Sequence, residues 1–89
     1  MVQAKRFRIT GHVQGVFFRA GARERAVSLG IAGWARNNAD GSVEMYAEGG
    51  LEALQAFERW CERGSDAARV EKVEVQEVPV QVCMGFRMF

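Results

Sequence analysis

Residues 11–19, with the sequence GHVQGVFFR, combine a glycine-containing turn with an arginine, which suits the binding of an anion. Residue patterns predict a strand over residues 5–11 before the turn and a helix over residues 19–29 after it. A turn that leads into a helix leaves main-chain N–H groups free, and the helix dipole favours negative charge beside them. Arg19 adds planar donors that match phosphate geometry. The stretch therefore predicts a phosphate-binding loop.

Known phosphate-loop motifs differ from this stretch. No Gly-Lys-Ser/Thr follows the glycines, so it is not a nucleotide P-loop, and the spacing does not match G-x-G-x-x-G. The spacing from Val13 to Arg19 resembles the C-x5-R loop of cysteine phosphatases, but valine offers no nucleophile. Phosphoryl chemistry at this loop therefore needs direct attack by water, or a residue from elsewhere in the chain. A strand–turn–helix with no catalytic role is the alternative.

The composition indicates one small domain spanning residues 1–89. Hydrophobic residues make up 48% of the chain, and the formal net charge is only +1. Basic residues are scattered among acidic ones, so we expect no nucleic acid and no membrane as partners. One histidine and two cysteines do not form a zinc-binding pattern, and we expect no metal and no cofactor. We expect a soluble, cytoplasmic monomer with reduced cysteines, and a disulfide bridge between Cys61 and Cys83 is the alternative.

Strand and helix patterns alternate along the rest of the chain. Gly30 is a helix stop, Asp40-Gly41 is a hairpin signal, and Pro79 ends a strand. Gly21 lies inside the first helix, where we expect it to allow close packing against the sheet. The remaining predicted elements are strand 31–37, strand 42–48, helix 51–62, strand 70–78 and strand 86–89. This β-α-β-β-α-β-β order predicts an antiparallel or mixed sheet with both helices on one face.

The predicted topology brings two distant segments together. The first two strands are parallel within the β-α-β unit, so their C-terminal ends lie at the same edge of the sheet. The phosphate-binding loop leaves the first strand at that edge, and Asn37 ends the second strand there. Arg19 and the Asn37 amide are therefore expected to converge on one anion.

Two segments together resemble the acylphosphatase family. Residues 11–19 are similar to the family's first motif, and residues 33–43, GWARNNADGSV, continuing to Gly49, are similar to its second. The resemblance covers nearly the whole chain, including the element order and the short C-terminal strand. The motif positions show no departure from the family's pattern.

The resemblance implies an α+β fold, a ferredoxin-like α/β sandwich with a short fifth strand and two helices on one face of a mainly antiparallel sheet. It implies hydrolysis of the carboxyl–phosphate bond of acyl phosphates by direct water attack without metal. Arg19 is implied to bind the phosphoryl group and Asn37 to orient the attacking water. The implied phosphate loop consists of Gln14, Gly15, Val16, Phe17, Phe18 and Arg19.

Acyl phosphate chemistry is compatible with this set of residues. A carboxylate is a good leaving group, so positioning and charge stabilisation supply most of the catalysis. His12 adjoins the loop and is the alternative base, but it precedes the turn and we expect its side chain to point away from the site. The physiological acyl phosphate is left open by the sequence.

Two other functional classes compete with the enzyme. A non-catalytic anion-binding module could use the same fold. RNA-recognition domains share the topology but need stacking aromatics and a basic sheet face. Tyr46 is a candidate outward-facing aromatic, but Glu44 and Glu48 flank it, which argues against RNA.

Overall fold

The computed structural model describes all residues from 1 to 89 and contains every predicted element. The ends of the elements differ from the predicted ends by no more than two residues. No helix combines the length and the apolar character needed to cross a membrane. In chain order the elements are β1 Gln3–His12, α1 Phe18–Leu29, β2 Ala32–Asn37, β3 Val43–Gly49, α2 Leu51–Arg63, β4 Arg69–Val78 and β5 Phe86–Met88.

The five strands form one mixed sheet in the order β4-β1-β3-β2-β5. β3 pairs antiparallel with both β1 and β2, so β1 and β2 run parallel to each other on either side of it. β5 pairs parallel with β2 at one edge, and β4 pairs antiparallel with β1 at the other. This is the predicted ferredoxin-like α+β fold, and it places the C-terminal ends of β1, β2 and β5 at the same edge of the sheet.

Both helices pack on one face of the sheet and enclose a single core. Phe7 of β1 meets Phe57 of α2 edge to face, with ring centroids 5.5 Å apart. The prediction for Gly21 needs a correction, because this glycine faces the other helix rather than the sheet. A Cβ at this position would lie 2.9 Å from Cζ2 of Trp60, so the small residue lets α1 and α2 approach each other.

The opposite face of the sheet is covered by the connection from β4 to β5, residues 79–85. The N–H of Gln81 donates to the Tyr46 hydroxyl oxygen at 2.6 Å, and the N–H of Cys83 donates to Glu48 Oε2 at 2.8 Å. The Tyr46 hydroxyl in turn donates to Glu48 Oε1 at 2.7 Å. Burial, followed by the hydrogen bond to Glu48, raises the pKa of Tyr46 to about 12. The prediction of Tyr46 as an outward-facing aromatic is therefore wrong, since its side chain is fully buried.

The two cysteines are free thiols on opposite sides of the sheet. Cys61 lies in the core on α2, and Cys83 lies in the segment that covers the other face. The sheet separates the two sulfur atoms, so a bridge between them is incompatible with this fold.

Candidate active site

The loop between β1 and α1 follows a twisted path set by two residues with positive φ. Gly15 has a φ of 74° and Phe17 a φ of 62°. This backbone conformation is ordinary for glycine but costs a bulky residue on the order of 1–3 kcal/mol. Left-handed residues among right-handed ones turn successive N–H groups toward one side, which creates a concave binding surface for an anion. Val13 is buried in the core and supplies no nucleophile.

Main-chain donors at the start of α1 are free. None of the backbone hydrogen bonds that close turns and loops is donated by residues 13–20. The first such donor is the N–H of Gly21, which bonds the carbonyl oxygen of Phe17 at 3.0 Å. The first turn of α1 contains no acidic residue, so no carboxylate of that turn competes for the free N–H groups. The donors and the helix dipole together favour a bound anion here.

Contacts with two other segments hold this loop in place. Gln14 Nε2 donates to the carbonyl oxygens of Asn38 at 2.7 Å and Ser42 at 3.0 Å, in the turn between β2 and β3. Ser65 follows α2, and its Oγ donates to the carbonyl oxygen of Val16 at 2.6 Å. The loop conformation is therefore fixed by contacts that leave its N–H groups available.

Arg19 is held by the chain that follows β5. Its Nη1 atom donates to the main-chain oxygen of Phe89, and the N–H of Phe89 donates to the carbonyl oxygen of Ala35 in β2 at 2.9 Å. No sequence pattern indicates this contact of Phe89. It depends on the parallel pairing of β5 with β2, which brings the end of β5 to the edge of the sheet where Arg19 lies.

A cleft of about 260 Å³ brings Arg19 and Asn37 together, although 17 intervening residues separate them in the sequence. Asn37 ends β2 with an exposed side chain that makes no hydrogen bond to another protein group. The amide is thus free to bind water or a ligand. The complete lining of this cleft, hereafter the Arg19–Asn37 cleft, consists of Val13, Gly15, Phe17, Phe18, Arg19, Ala20, Asn37 and Met88.

The structure separates the predicted loop residues into two groups. Four of them line the Arg19–Asn37 cleft: Gly15, Phe17, Phe18 and Arg19. Gln14 and Val16 do not, because the Gln14 amide bonds the β2–β3 turn and the Val16 side chain is buried in the core. Their part in phosphate binding remains a prediction that concerns main-chain N–H groups alone. His12 also lies outside the lining, on the exposed end of β1.

The β2–β3 turn that contacts Gln14 is stabilised by Asp40. Asp40 Oδ1 accepts hydrogen bonds from the N–H of Ser42 at 3.0 Å and from its hydroxyl at 2.6 Å. Arg8 forms an ion pair with the other carboxylate oxygen. The Ser42 hydroxyl, the Ser42 N–H and then Arg8 together lower the pKa of Asp40 to about 2. Asn38 Nδ2 also donates to Ser42 Oγ at 3.0 Å, so this side chain belongs to the turn rather than to the cleft.

No three His, Cys, Asp or Glu side chains lie together in the arrangement that a protein metal site requires. The Arg19–Asn37 cleft itself contains no carboxylate, thiol or imidazole among its lining residues. Metal-independent chemistry stays a prediction, which an activity measurement in the presence of a chelator can test.

Comparisons with known proteins agree on one family. The family model described as Acylphosphatase matches residues 5–88. A curated acylphosphatase from Rhizorhabdus wittichii is 46% identical over 83 residues, which cover 93% of this chain and 84% of that protein.

Two solved acylphosphatase structures superpose on nearly the whole chain. The Coxiella burnetii structure has a TM-score of 0.96 and 32% identity, and the match covers 99% of this chain and 93% of that one. The Bacillus subtilis structure has a TM-score of 0.95 and 34% identity, with 100% and 99% of the two chains covered.

Proposed function

Because this chain belongs to the acylphosphatase family and hydrolyses acyl phosphates, we propose that the Arg19–Asn37 cleft is the site of that reaction. One observation carries the proposal: free main-chain donors, a guanidinium and an unpaired amide side chain all meet at this cleft. The donors suit a phosphoryl group, and the amide suits a water molecule.

The phosphoryl oxygens bind to the N–H groups of the loop and to the guanidinium of Arg19. One N–H of the guanidinium bonds Phe89, which leaves the others available and limits the orientations of the planar group. Catalysis of phosphoryl transfer depends chiefly on such positioning and on stabilising the charge of the transition state. Main-chain donors held by the Gln14 and Ser65 contacts need little rearrangement during the reaction.

Asn37 orients the attacking water through its carbonyl oxygen, which accepts a hydrogen bond from that water. The water oxygen forms a bond to phosphorus, and the bond from phosphorus to the acyl oxygen breaks. The carboxylate leaves with the electron pair of that bond, and the water proton passes to a phosphate oxygen or to solvent. A carboxylate leaves readily, so this step requires no metal ion and no strong base.

A crystal soaked in inorganic phosphate tests the proposed site. We expect the anion to contact the Arg19 guanidinium and N–H groups of residues 15–19. Phosphate bound elsewhere, with the Arg19–Asn37 cleft containing only water at saturating phosphate, would contradict this assignment.

The proposed enzyme is a monomer of the cytoplasm. The exposed edge strand β4 carries five charged residues, which oppose pairing with the sheet of a second molecule: Arg69, Glu71, Lys72, Glu74 and Glu77. The free thiols Cys61 and Cys83 are typical of a reducing compartment. Light scattering at micromolar concentration tests the first statement, and fractionation of the source cells tests the second.

A further inference from the structure

Phe17 is an exposed aromatic residue at the mouth of the Arg19–Asn37 cleft. Its side chain is 82% exposed, whereas Phe18 beside it is buried in the core. Every other phenylalanine of the chain pairs with an aromatic ring or a guanidinium, but Phe17 has neither partner. Its backbone also adopts a left-handed conformation that bulky residues rarely take. Neither packing nor local backbone preference therefore accounts for an aromatic side chain here.

A second, larger cavity begins at the same residue. This groove, of about 710 Å³, runs between α1 and the 64–67 segment, and Trp60 forms part of its wall. Phe17 and Ala20 line both the groove and the Arg19–Asn37 cleft. The two cavities are therefore adjacent, with the Phe17 ring at their boundary.

We propose that Phe17 and the adjoining groove form a subsite for an apolar acyl group of the substrate. The inference rests on the proposed function, which places the phosphoryl group beside Arg19. Only one oxygen atom separates phosphorus from the acyl carbon, so the acyl group lies within reach of a residue that lines the same cleft. An aryl or alkyl group that packs on the Phe17 ring removes apolar surface of both partners from water. Acetyl and carbamoyl groups are too small to gain much from this contact.

A longer acyl chain can extend past Phe17 and bind along the groove. Main-chain donors of the loop fix the phosphoryl end, while Ala20, Trp60 and Ala67 supply apolar surface along the groove. The rest of the groove is more polar, and its charged lining residues are Glu24, Arg25 and Asp66. Binding energy from a remote part of a substrate can position its reacting end. The subsite therefore favours aryl and medium-chain acyl phosphates over acetyl phosphate.

The first test compares benzoyl phosphate with acetyl phosphate as the ratio of their kcat/KM values. Phe17→Ala keeps a Cβ and hence the backbone preference of the wild type, but removes the ring. We expect it to lower the benzoyl-to-acetyl ratio about fivefold or more, the scale of a lost aromatic contact. Phe17→Tyr retains the ring and should keep the wild-type ratio. Val27→Ala, an exposed position on α1 outside both cavities, is the matched control.

An unchanged ratio in Phe17→Ala, or an equal loss of the ratio in Phe17→Tyr and Phe17→Ala, would overturn the role of the ring. Failure of the proposed catalytic site gives a different result, because replacing Arg19 or Asn37 would then leave hydrolysis of both substrates intact. Circular dichroism establishes that each variant is folded before the ratios are compared.

The second test concerns the groove. Ala67→Trp places a large side chain in the groove without altering a residue of the Arg19–Asn37 cleft. We expect the octanoyl-to-acetyl ratio of kcat/KM to fall severalfold, while the benzoyl-to-acetyl ratio changes less. Equal octanoyl-to-acetyl ratios in the variant and the wild type would show that acyl chains do not enter the groove.

Discussion

The guanidinium of Arg19 donates a hydrogen bond to the main-chain oxygen of Phe89, a residue 70 positions further along the chain. Arg19 lies in the first turn of α1, whereas Phe89 follows β5 and donates its N–H to the carbonyl oxygen of Ala35 in β2. The pairing of β5 with β2 thus determines the position of a side chain on α1. The arginine of the proposed site is therefore oriented by a main-chain contact from the far end of the sequence.

Removal of Phe89 tests this relationship. We expect a chain that ends at Met88 to lose on the order of 10-fold in kcat, the scale of one hydrogen bond to a charged group. Phe89→Ala keeps the main-chain oxygen and should lose much less. The measurement is kcat for both variants with one acyl phosphate. Equal activities of the shortened chain and the wild type would show that the hydrogen bond does not orient Arg19.

Acid should weaken the β2–β3 turn through Asp40. Its pKa is about 2 in the folded protein, below the ordinary value of 3.8, so the ionised carboxylate stabilises the fold above about pH 4. That contribution disappears as the pH falls from about 3.8 toward 2. Asp40→Asn should therefore show a smaller loss of unfolding free energy over this range than the wild type. Urea denaturation at successive pH values measures the difference, and identical pH profiles would contradict the assignment.

Asn38→Ala should affect stability far more than catalysis. The sequence places Asn38 next to Asn37, but its side chain donates to Ser42 Oγ and lies outside the Arg19–Asn37 cleft. We expect the variant to lose about 1 kcal/mol of unfolding free energy, the net value of one hydrogen bond. Its kcat at a temperature where it remains folded should stay within about threefold of the wild type. A stable variant with greatly reduced kcat would place Asn38 in the catalytic site.

The sequence was sufficient to predict the element order and the meeting of Arg19 with Asn37. Alternation in the strands, the Gly30 and Asp40-Gly41 signals and helical spacing are local, and each element appears near its predicted position. The convergence of the two side chains follows from the parallel direction of β1 and β2, which the β-α-β order implies.

Local sequence patterns could not predict the contacts between segments that are distant along the chain. Tyr46 alternates along β3 with residues that face the core, which is the pattern of a solvent-facing residue. Residues 79–85 nevertheless cover it, and the N–H of Gln81 donates to its hydroxyl. Gln14 appears in the loop motif as a binding residue, but its amide is used by the β2–β3 turn. In each case the path of a remote segment, rather than the residue's own neighbours, determines the environment of the side chain.

Activity should persist in excess EDTA. The Arg19–Asn37 cleft contains no side chain of the types that usually bind zinc, calcium or magnesium tightly. The rate of acyl phosphate hydrolysis before and after dialysis against chelator is the measurement. Inactivation by EDTA that a divalent metal reverses would exclude the metal-independent mechanism.

The most direct test of the catalytic assignment separates binding from turnover at Arg19 and Asn37. Arg19→Ala should raise the Ki of inorganic phosphate and lower kcat, because we propose that the guanidinium contacts the phosphoryl group in both ground and transition states. Arg19→Lys should restore little, since a point charge cannot reproduce the planar contact. Asn37→Ala should lower kcat by at least ~10²-fold, the scale for one positioned transition-state group. Its phosphate Ki should stay close to the wild-type value. An Asn37→Ala variant with wild-type kcat, or an Arg19→Ala variant with unchanged phosphate Ki, would contradict the account.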